Sequence, residues 1–74
     1  MNATESRIMV EIMLHEDSYG RSPTFDYLHR ATGVRRHQLL AYLRDMEGEG
    51  MVERNVCSAG ITYSNTYVDI EILP

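Results

Sequence analysis

The sequence predicts an α+β domain in which three short helices precede a C-terminal β-hairpin. Two observations support this prediction. Apolar residues recur at helical spacing over most of the chain, and near the C-terminus the spacing changes to a strict alternation of two. The 74 residues are enough for one hydrophobic core and too few for two, so we expect a single domain over residues 1–74.

The first helix is predicted over about residues 3–16. Apolar residues repeat at the spacing of one buried helix face, at Ile8, Met9, Ile12 and Met13, and Val10 and Leu14 widen that face. Asn2 and Glu5 have the spacing of a capping box, in which each side chain binds the backbone N–H of the other residue. The segment Asp17-Ser18-Tyr19-Gly20 contains turn-forming residues, so we expect the helix to end there.

The next two helices are predicted over about residues 24–31 and 34–47. Pro23 favours extended backbone before it, so a turn or a very short strand should precede the second helix, with Thr24 or Ser22 as its cap. Gly33 supplies the left-handed backbone that a tight turn needs. Apolar residues of the third helix recur at helical spacing, at Val34, Leu39, Leu40, Tyr42, Leu43 and Met46. Two helices joined by so short a turn form a helix-turn-helix.

Two strands are predicted after the glycines at positions 48 and 50 end the third helix. They cover about residues 51–56 and 66–72. In the second strand Val68, Ile70 and Ile72 share one face and polar residues share the other, which is typical of a half-buried strand. We expect the two strands to pair antiparallel, with Ser58-Ala59-Gly60 in the tip of the hairpin.

The charges are unevenly distributed along the chain. The formal net charge is −4, there is no Lys, and five of the seven basic residues lie between Arg21 and Arg44, where Asp26 is the one acidic residue. A negative total opposes non-specific binding to nucleic acid, because affinity for phosphate comes from positive charge. A basic segment on an acidic body instead fits a small binder that selects its site.

Three motifs follow one another in a fixed order. Leu28-x-x-x-Thr32-Gly33-Val34 spans the turn, Leu39 and Leu43 follow in the next helix, and Glu49-Gly50-Met51-Val52-Glu53-Arg54 opens the hairpin. In this order the motifs resemble the winged helix-turn-helix family of DNA-binding proteins. In size the chain resembles the small stand-alone regulators of pilus operons or of phages. The resemblance covers about residues 24–72, and the first helix fits it too.

The resemblance implies that the helix over residues 34–47 lies in the major groove and that the hairpin, the wing, reaches the neighbouring backbone or minor groove. It places the DNA-reading residues on that helix, at Arg35, Arg36, His37, Gln38 and Arg44. Arginine can bind guanine, and glutamine adenine, through two hydrogen bonds. The implied phosphate contacts precede the second helix, at Arg21, Ser22 and Thr24.

Two features depart from the pattern of that family. Its members often have a small residue where this chain has His29. The wing, from Val56 to Thr66, has no Lys or Arg, so it offers no cation to a phosphate and fits a contact with protein or a purely structural role.

No catalytic, metal or cofactor site is predicted. The spacing of His15, His29, His37 and Cys57 matches no compact ligand set, so we expect separate surface or core positions for them. The carboxylates lie at helix ends and on polar faces with no pair set apart, so we do not expect an enzyme. A single cysteine, with no long apolar run and no signal peptide, predicts a cytoplasmic protein with a free thiol and no membrane association.

Two functional hypotheses of different classes follow. The first is a sequence-specific transcriptional regulator of phage or bacterial type that reads double-stranded DNA with the helix over residues 34–47. The alternative is a winged-helix protein-interaction module, for example a phage-encoded factor that docks on a host protein, without strong DNA binding of its own. One recognition helix reads few bases, so we also expect a homodimer, formed through the C-terminal strand or the first helix.

Overall fold

A computed structural model of the protein describes residues 2–58 and 60–67. Three helices come first, α1 (Ala3–Tyr19), α2 (Phe25–Thr32) and α3 (Arg36–Gly48), followed by the strands β1 (Val52–Cys57) and β2 (Gly60–Asn65). The strands form one antiparallel two-stranded sheet. The predicted α+β fold, three helices followed by a hairpin, is therefore confirmed, and the arrangement is consistent with a winged helix.

The helix α1 begins at the predicted capping box. The Asn2 side chain accepts a hydrogen bond from the Glu5 backbone N–H at 2.8 Å, and Glu5 Oε1 accepts one from the Asn2 N–H at 3.1 Å. The helix continues past residue 16 to Tyr19 and ends where Gly20 takes the left-handed φ of 69°. No helix in the described part of the chain combines the length and the apolar character that crossing a bilayer requires.

All five elements contribute to one core. Its buried side chains are Ile8, Met9, Ile12, Leu28, Leu39, Leu43, Met46, Met51, Val52 and Tyr63. Three residues of the predicted α1 face are placed differently, because Val10, Met13 and Leu14 are about half exposed and His15 is buried instead. The reason is helical geometry: His15 lies three residues after Ile12 and so continues the buried stripe, whereas the other three lie about 100° or more from Ile12 around the helix.

The hairpin uses a different second strand from the predicted one. β1 pairs with β2 in a register that runs from Val52 opposite Asn65 to Cys57 opposite Gly60. Thr66 and Tyr67 follow β2, and residues 68–72 of the predicted strand lie outside the described residues. The shorter connection is favoured because closing a short loop costs less entropy than closing a long one.

The turn before α2 lies along the free edge of β2. Thr24 forms a β-bridge with Thr62, and the Tyr63 N–H donates to the Pro23 carbonyl oxygen at 3.0 Å. The predicted turn or short strand is thus a single bridge, and it connects the helix-turn-helix to the hairpin.

The turn between α2 and α3 is held by hydrogen bonds from both of its sides. Gly33 has a φ of 72°, and its N–H donates to the His29 carbonyl oxygen at 3.0 Å. The His29 ring nitrogen Nδ1 lies 2.8 Å from the Val34 carbonyl oxygen. Because a carbonyl oxygen can only accept, Nδ1 must carry the proton and donate. His29 therefore spans the turn, and α3 begins at Arg36, two residues later than predicted.

Candidate nucleic-acid interface

One side of α3 faces away from the rest of the domain. Leu39, Leu43 and Met46 point into the core, and at 100° per residue the opposite side carries the residues between them in sequence. We call this side the α3 outer face, and its exposed side chains are His37, Gln38, Ala41, Arg44 and the acidic Asp45. Two DNA-reading positions predicted for the first turn, His37 and Gln38, thus lie together on a face that is open to a partner.

Arg35 lies at the N-cap of α3 and precedes the first helical turn. Its backbone is extended, with φ −61° and ψ 147°, and its side chain makes no capping hydrogen bond. The side chain is exposed. The first turn of a helix has backbone N–H groups without helical partners and carries the positive end of the helix dipole, so an anion is favoured beside it. Arg35 adds a full positive charge at that place.

Arg36 points to the side of α3 instead of outward. Its Nη2 lies 2.7 Å from Asp26 Oδ1, and its guanidinium carbon lies 5.8 Å from the centre of the Phe25 ring. Both partners belong to the first turn of α2. The structure therefore uses Arg36 to connect α2 to α3, and the adjacent Asp26 cancels much of its attraction for phosphate.

A second arginine lies opposite Arg44 across a groove. Arg54, on β1, has its Nε 3.8 Å from Glu47 Oε1, and both arginines line the groove between α3 and the hairpin together with Tyr63. Arg54 was not among the predicted site residues. Strand alternation could have found it, because Arg54 lies two residues after the buried Val52 and so shares its face.

Tyr63 forms the floor of this groove. Its side chain is 2% exposed. Burial raises the pKa of the Tyr63 hydroxyl above its ordinary value of 10.0, Glu47 raises it further, and Arg54 and Arg44 oppose the increase. Arg44 and Arg54, the two cations of this groove that could bind a phosphate, therefore also lower the pKa of the Tyr63 hydroxyl.

The two predicted hydroxyl ligands have partners inside the fold. Thr24 Oγ1 caps α2 by accepting from the Tyr27 N–H at 3.1 Å. Ser22 Oγ lies 2.6 Å from Ser64 Oγ and 3.2 Å from Glu16 Oε2. A carboxylate beside Ser22 repels a phosphate, so the structure favours a structural role for this hydroxyl.

Arg21 lies away from the other predicted site residues. Directly opposed residues of an antiparallel pair share a face, so the register puts Arg54 and Tyr63 on one side of the hairpin and Asn55 and Thr62 on the other. Arg21 borders a depression lined by Asn55 and Thr62. It therefore lies on the hairpin side opposite to Arg54, and the structure does not bring it together with α3.

Near the hairpin tip, the hairpin side that faces α3 is apolar, whereas Arg54 lies on the same side farther from the tip. A second groove between α3 and the hairpin, which we call the hairpin groove, is lined chiefly by Phe25, Leu40, Ile61 and Tyr63, with Thr24 and Asp26 also in its lining. Leu40 is 36% exposed, Ile61 39%, and Val56, directly opposite Ile61, 74%. The sequence prediction found the lack of charge in the wing but not this apolar surface. Leu40 was counted among the apolar residues that recur at helical spacing in the third helix, and the pairing of Val56 with Ile61 depends on the hairpin register.

The histidines and the cysteine have separate environments. His15 Nδ1 donates to the Arg21 carbonyl oxygen at 2.8 Å, and its ring packs against Tyr19 and Tyr27. Cys57 is an exposed free thiol. Within the described residues, no group of three or more His, Cys, Asp or Glu side chains is arranged to hold a metal ion.

No protein-family model, curated protein or solved structure matches this chain. The resemblance to winged helix proteins therefore stays a prediction from sequence motifs, and the structure supports it at the level of the fold.

Proposed function

We propose that this protein is a sequence-selective, double-stranded DNA-binding regulator that inserts the N-terminal half of α3 into the major groove. The observation that supports the proposal is the state of four side chains on and beside the α3 outer face, Arg35, His37, Gln38 and Arg44. All four are exposed, and none of them makes a hydrogen bond or ion pair with another described residue. Their donors are thus available to base edges and phosphates.

The charge along α3 defines the direction of approach. Arg35 lies at its N-terminus, whereas Asp45, Glu47 and Glu49 lie at its C-terminal end. Phosphates are attracted by the first end and repelled by the second, so the N-terminal end lies deeper in the groove, as in helix-turn-helix docking. Gln38 on the first turn is suited to adenine and Arg35 to guanine or phosphate.

The test is a selection of DNA sites from a random duplex library with the purified protein, followed by affinity measurements over a range of salt concentrations. We expect Arg35→Ala to weaken binding to the selected site by about 10- to 100-fold and to reduce the slope of log K against log salt by about 1. Gln38→Ala should relax the base preference at one position of the site. Arg21→Ala removes the same charge from the opposite side of the hairpin, so its effect should be the smaller one.

The proposal fails if the selection enriches no sequence, or if Arg35→Ala and Arg21→Ala weaken binding equally at every salt concentration. Equal losses would mean that only the total charge matters and that α3 does not read the DNA.

The hairpin groove favours a second candidate, the protein-interaction module. A groove lined by Phe25, Leu40 and Ile61 offers apolar surface that a phosphate backbone cannot use, whereas a protein side chain can fill it. The double variant Leu40→Ser/Ile61→Ser separates the two candidates. DNA reading by α3 predicts that this variant keeps the base preference of the selected site. A protein-interaction module predicts that it loses its partner while Arg35→Ala retains it.

A further inference from the structure

The helix α1 exposes an apolar face on the side away from the core. Ile8, Met9 and Ile12 are buried, and residues on the other side of the helix are open. Val10 is 47% exposed, Met13 50% and Leu14 54%. We call this surface, with the flanking charges Arg7 and Asp17, the α1 outer face. Three large apolar side chains at adjacent positions of one helix form a continuous patch, which usually marks a contact surface.

The α1 outer face is complementary to itself. A two-fold symmetric contact requires that residue i of one copy meets residue j of the other, and j meets i. Val10 and Leu14 lie two residues to either side of Ile12, and Arg7 and Asp17 lie five residues to either side of it. An antiparallel pair of α1 helices centred at residue 12 therefore brings apolar residues together and opposite charges together.

We propose that two copies of this chain pair through the α1 outer face as an antiparallel, two-fold symmetric helix dimer. In this dimer Val10 packs against Leu14 of the other copy, and Arg7 lies near Asp17 of the other copy at both ends of the contact. The proposal does not depend on DNA binding, and it leaves α3 and the hairpin groove outside the contact.

The contacts that Arg7 already makes are compatible with this pairing. Its Nε donates to Glu11 Oε2 at 3.0 Å and its Nη2 to the Ala31 carbonyl oxygen at 3.1 Å. These bonds fix the guanidinium at the edge of α1, and the side chain stays more than half exposed. A charge held in place loses less side-chain entropy when it pairs with a second acid.

The size of the patch predicts a weak dimer. A single helix face buries less surface than the roughly 800 Å² per partner of a standard stable interface. We expect a dissociation constant of about 10–100 µM. The proportion of dimer should thus rise over the accessible range of protein concentration.

Sedimentation equilibrium of the full chain, from micromolar to millimolar concentration, tests the proposal. Val10→Glu should weaken self-association by at least about 10-fold, because it buries a charge without a partner. Asp17→Arg should weaken it by about 5- to 10-fold at low salt and less at high salt. Arginine in the last turn of α1 also complements the helix dipole, so Asp17→Arg should not destabilise the monomer.

The decisive experiment mixes two charge variants, Arg7→Asp and Asp17→Arg. Arg7→Asp places two acids opposite each other in its own dimer, and Asp17→Arg places two arginines opposite each other. In a one-to-one mixture of these variants, both ends of the heterodimer regain opposite charges, so the mixture should associate more tightly than either variant alone. Thermal melts at low concentration confirm that each variant is folded. Asp17→Arg keeps the test valid even if Arg7→Asp destabilises α1 by losing its bonds to Glu11 and Ala31.

Isotope-filtered NMR identifies the occupant of the face. Contacts between the Val10 and Leu14 methyl groups of different chains would support the dimer. A monomer at all concentrations would overturn the proposal. Contacts of Met13 or Leu14 with Ile70 or Ile72 of the same chain would overturn it as well, because the C-terminal segment would then be what covers the face.

Discussion

At the scale of single residues, four polar side chains form one directed chain of hydrogen bonds. The amide of Asn55 donates to Ser64 Oγ at 2.8 Å, and Ser22 Oγ donates to Glu16 Oε2 at 3.2 Å. The two hydroxyls are 2.6 Å apart. Because the Ser22 proton is used by the carboxylate, Ser64 must donate to Ser22. The chain thus ends on a charge, which strengthens each of its bonds.

This chain of hydrogen bonds gives the Ser22 hydroxyl partners that would compete with a phosphate. A hydroxyl in front of a helix has the right chemistry for a phosphate, and its sequence neighbours do not reveal Glu16 or Ser64. The network connects α1 to both strands, so loss of the Ser22 hydroxyl would leave Ser64 and Glu16 without their shared partner.

Tyr63 carries a prediction about alkaline pH. Burial holds the pKa of its hydroxyl above the ordinary 10.0, so the unfolded chain loses this proton first as the pH rises. Deprotonation therefore favours the unfolded state. The contribution of the buried Tyr63 hydroxyl to the free energy of unfolding is fully present below pH 10.0 and is lost as the pH rises through the folded-state pKa. Tyr63→Phe should remove this loss.

The measurement is the free energy of unfolding by urea at several pH values from 8 to 11, for the wild type and Tyr63→Phe. Tyr67→Phe is the matched control, because it deletes a tyrosine hydroxyl from an exposed position. If Tyr63→Phe lost stability above pH 10 as steeply as the wild type, burial of this hydroxyl would not be the cause.

At the scale of elements, the turn between α2 and α3 determines where the candidate reading helix points. Thr32 Oγ1 donates to the Leu28 carbonyl oxygen at 2.7 Å, and the Val34 N–H donates back to Thr32 Oγ1 at 3.3 Å. With the His29 bond across the turn, three side-chain bonds fix the path of the chain around Gly33. The large His29 side chain therefore fits this turn, because its ring donates the hydrogen bond that the Val34 carbonyl oxygen accepts.

Gly33 and Gly48 give opposite predictions for the same substitution. An alanine Cβ at either position meets no atom within 4 Å, so only backbone conformation matters. Gly33 is left-handed, and Gly33→Ala should lower the free energy of unfolding by about 1–2 kcal/mol. Gly48 is the last residue of α3 and has no positive φ, so Gly48→Ala should raise it by about 0.5–1 kcal/mol.

Urea unfolding followed by circular dichroism measures both variants. The difference in sign is the sensitive result, because any general effect of an added methyl group would move both proteins in the same direction. A stable Gly33→Ala protein would mean that the turn can adopt another backbone path.

At the scale of the whole molecule, the fold separates the arginines that are close in sequence. Arg35 and Arg44 remain open along α3, Arg36 pairs with Asp26, and Arg21 lies on the other side of the hairpin. Arg54, distant in sequence, joins Arg44. The usable positive surface is therefore smaller than the sequence suggests, and we expect a weak salt dependence of DNA binding, with a slope no steeper than about −4.

Removing one acid should increase DNA affinity. Asp26→Asn frees the Arg36 guanidinium and deletes a negative charge beside α3. One additional phosphate contact changes log K by about 0.9 for each tenfold change in salt. We therefore expect about tenfold tighter binding near 0.1 M salt and a steeper salt slope.

Fluorescence anisotropy with the selected DNA site measures this effect, which rests on the proposed function. Glu53→Gln removes the same charge from an exposed position on the hairpin side that faces away from Arg54. Its effect should be smaller because it frees no arginine. Equal effects of Asp26→Asn and Glu53→Gln would show that net charge alone sets the affinity.

The sequence by itself determined the three helices, the first strand and the order of helices and hairpin, but not which residues form the second strand. Helical spacing, the capping box at Asn2 and the glycines after α1 and α2 are local signals, since the chemistry that defines them lies within about one helical turn. The α+β class and most of the core followed from these signals. The position of the third helix was also right to within two residues, the usual uncertainty of a helix boundary.

Only the tertiary structure decided which side chains stay available to a partner. Hairpin register, the pairing of Arg36 with Asp26, the hydroxyl chain through Ser22 and the apolar hairpin groove all join residues that are distant in sequence. Such contacts depend on how the helices and strands pack against each other. A local sequence pattern cannot show a contact whose second residue lies on another helix or strand. The candidate reading helix was therefore predictable, whereas the side chains that it can offer to a partner became visible only in the fold.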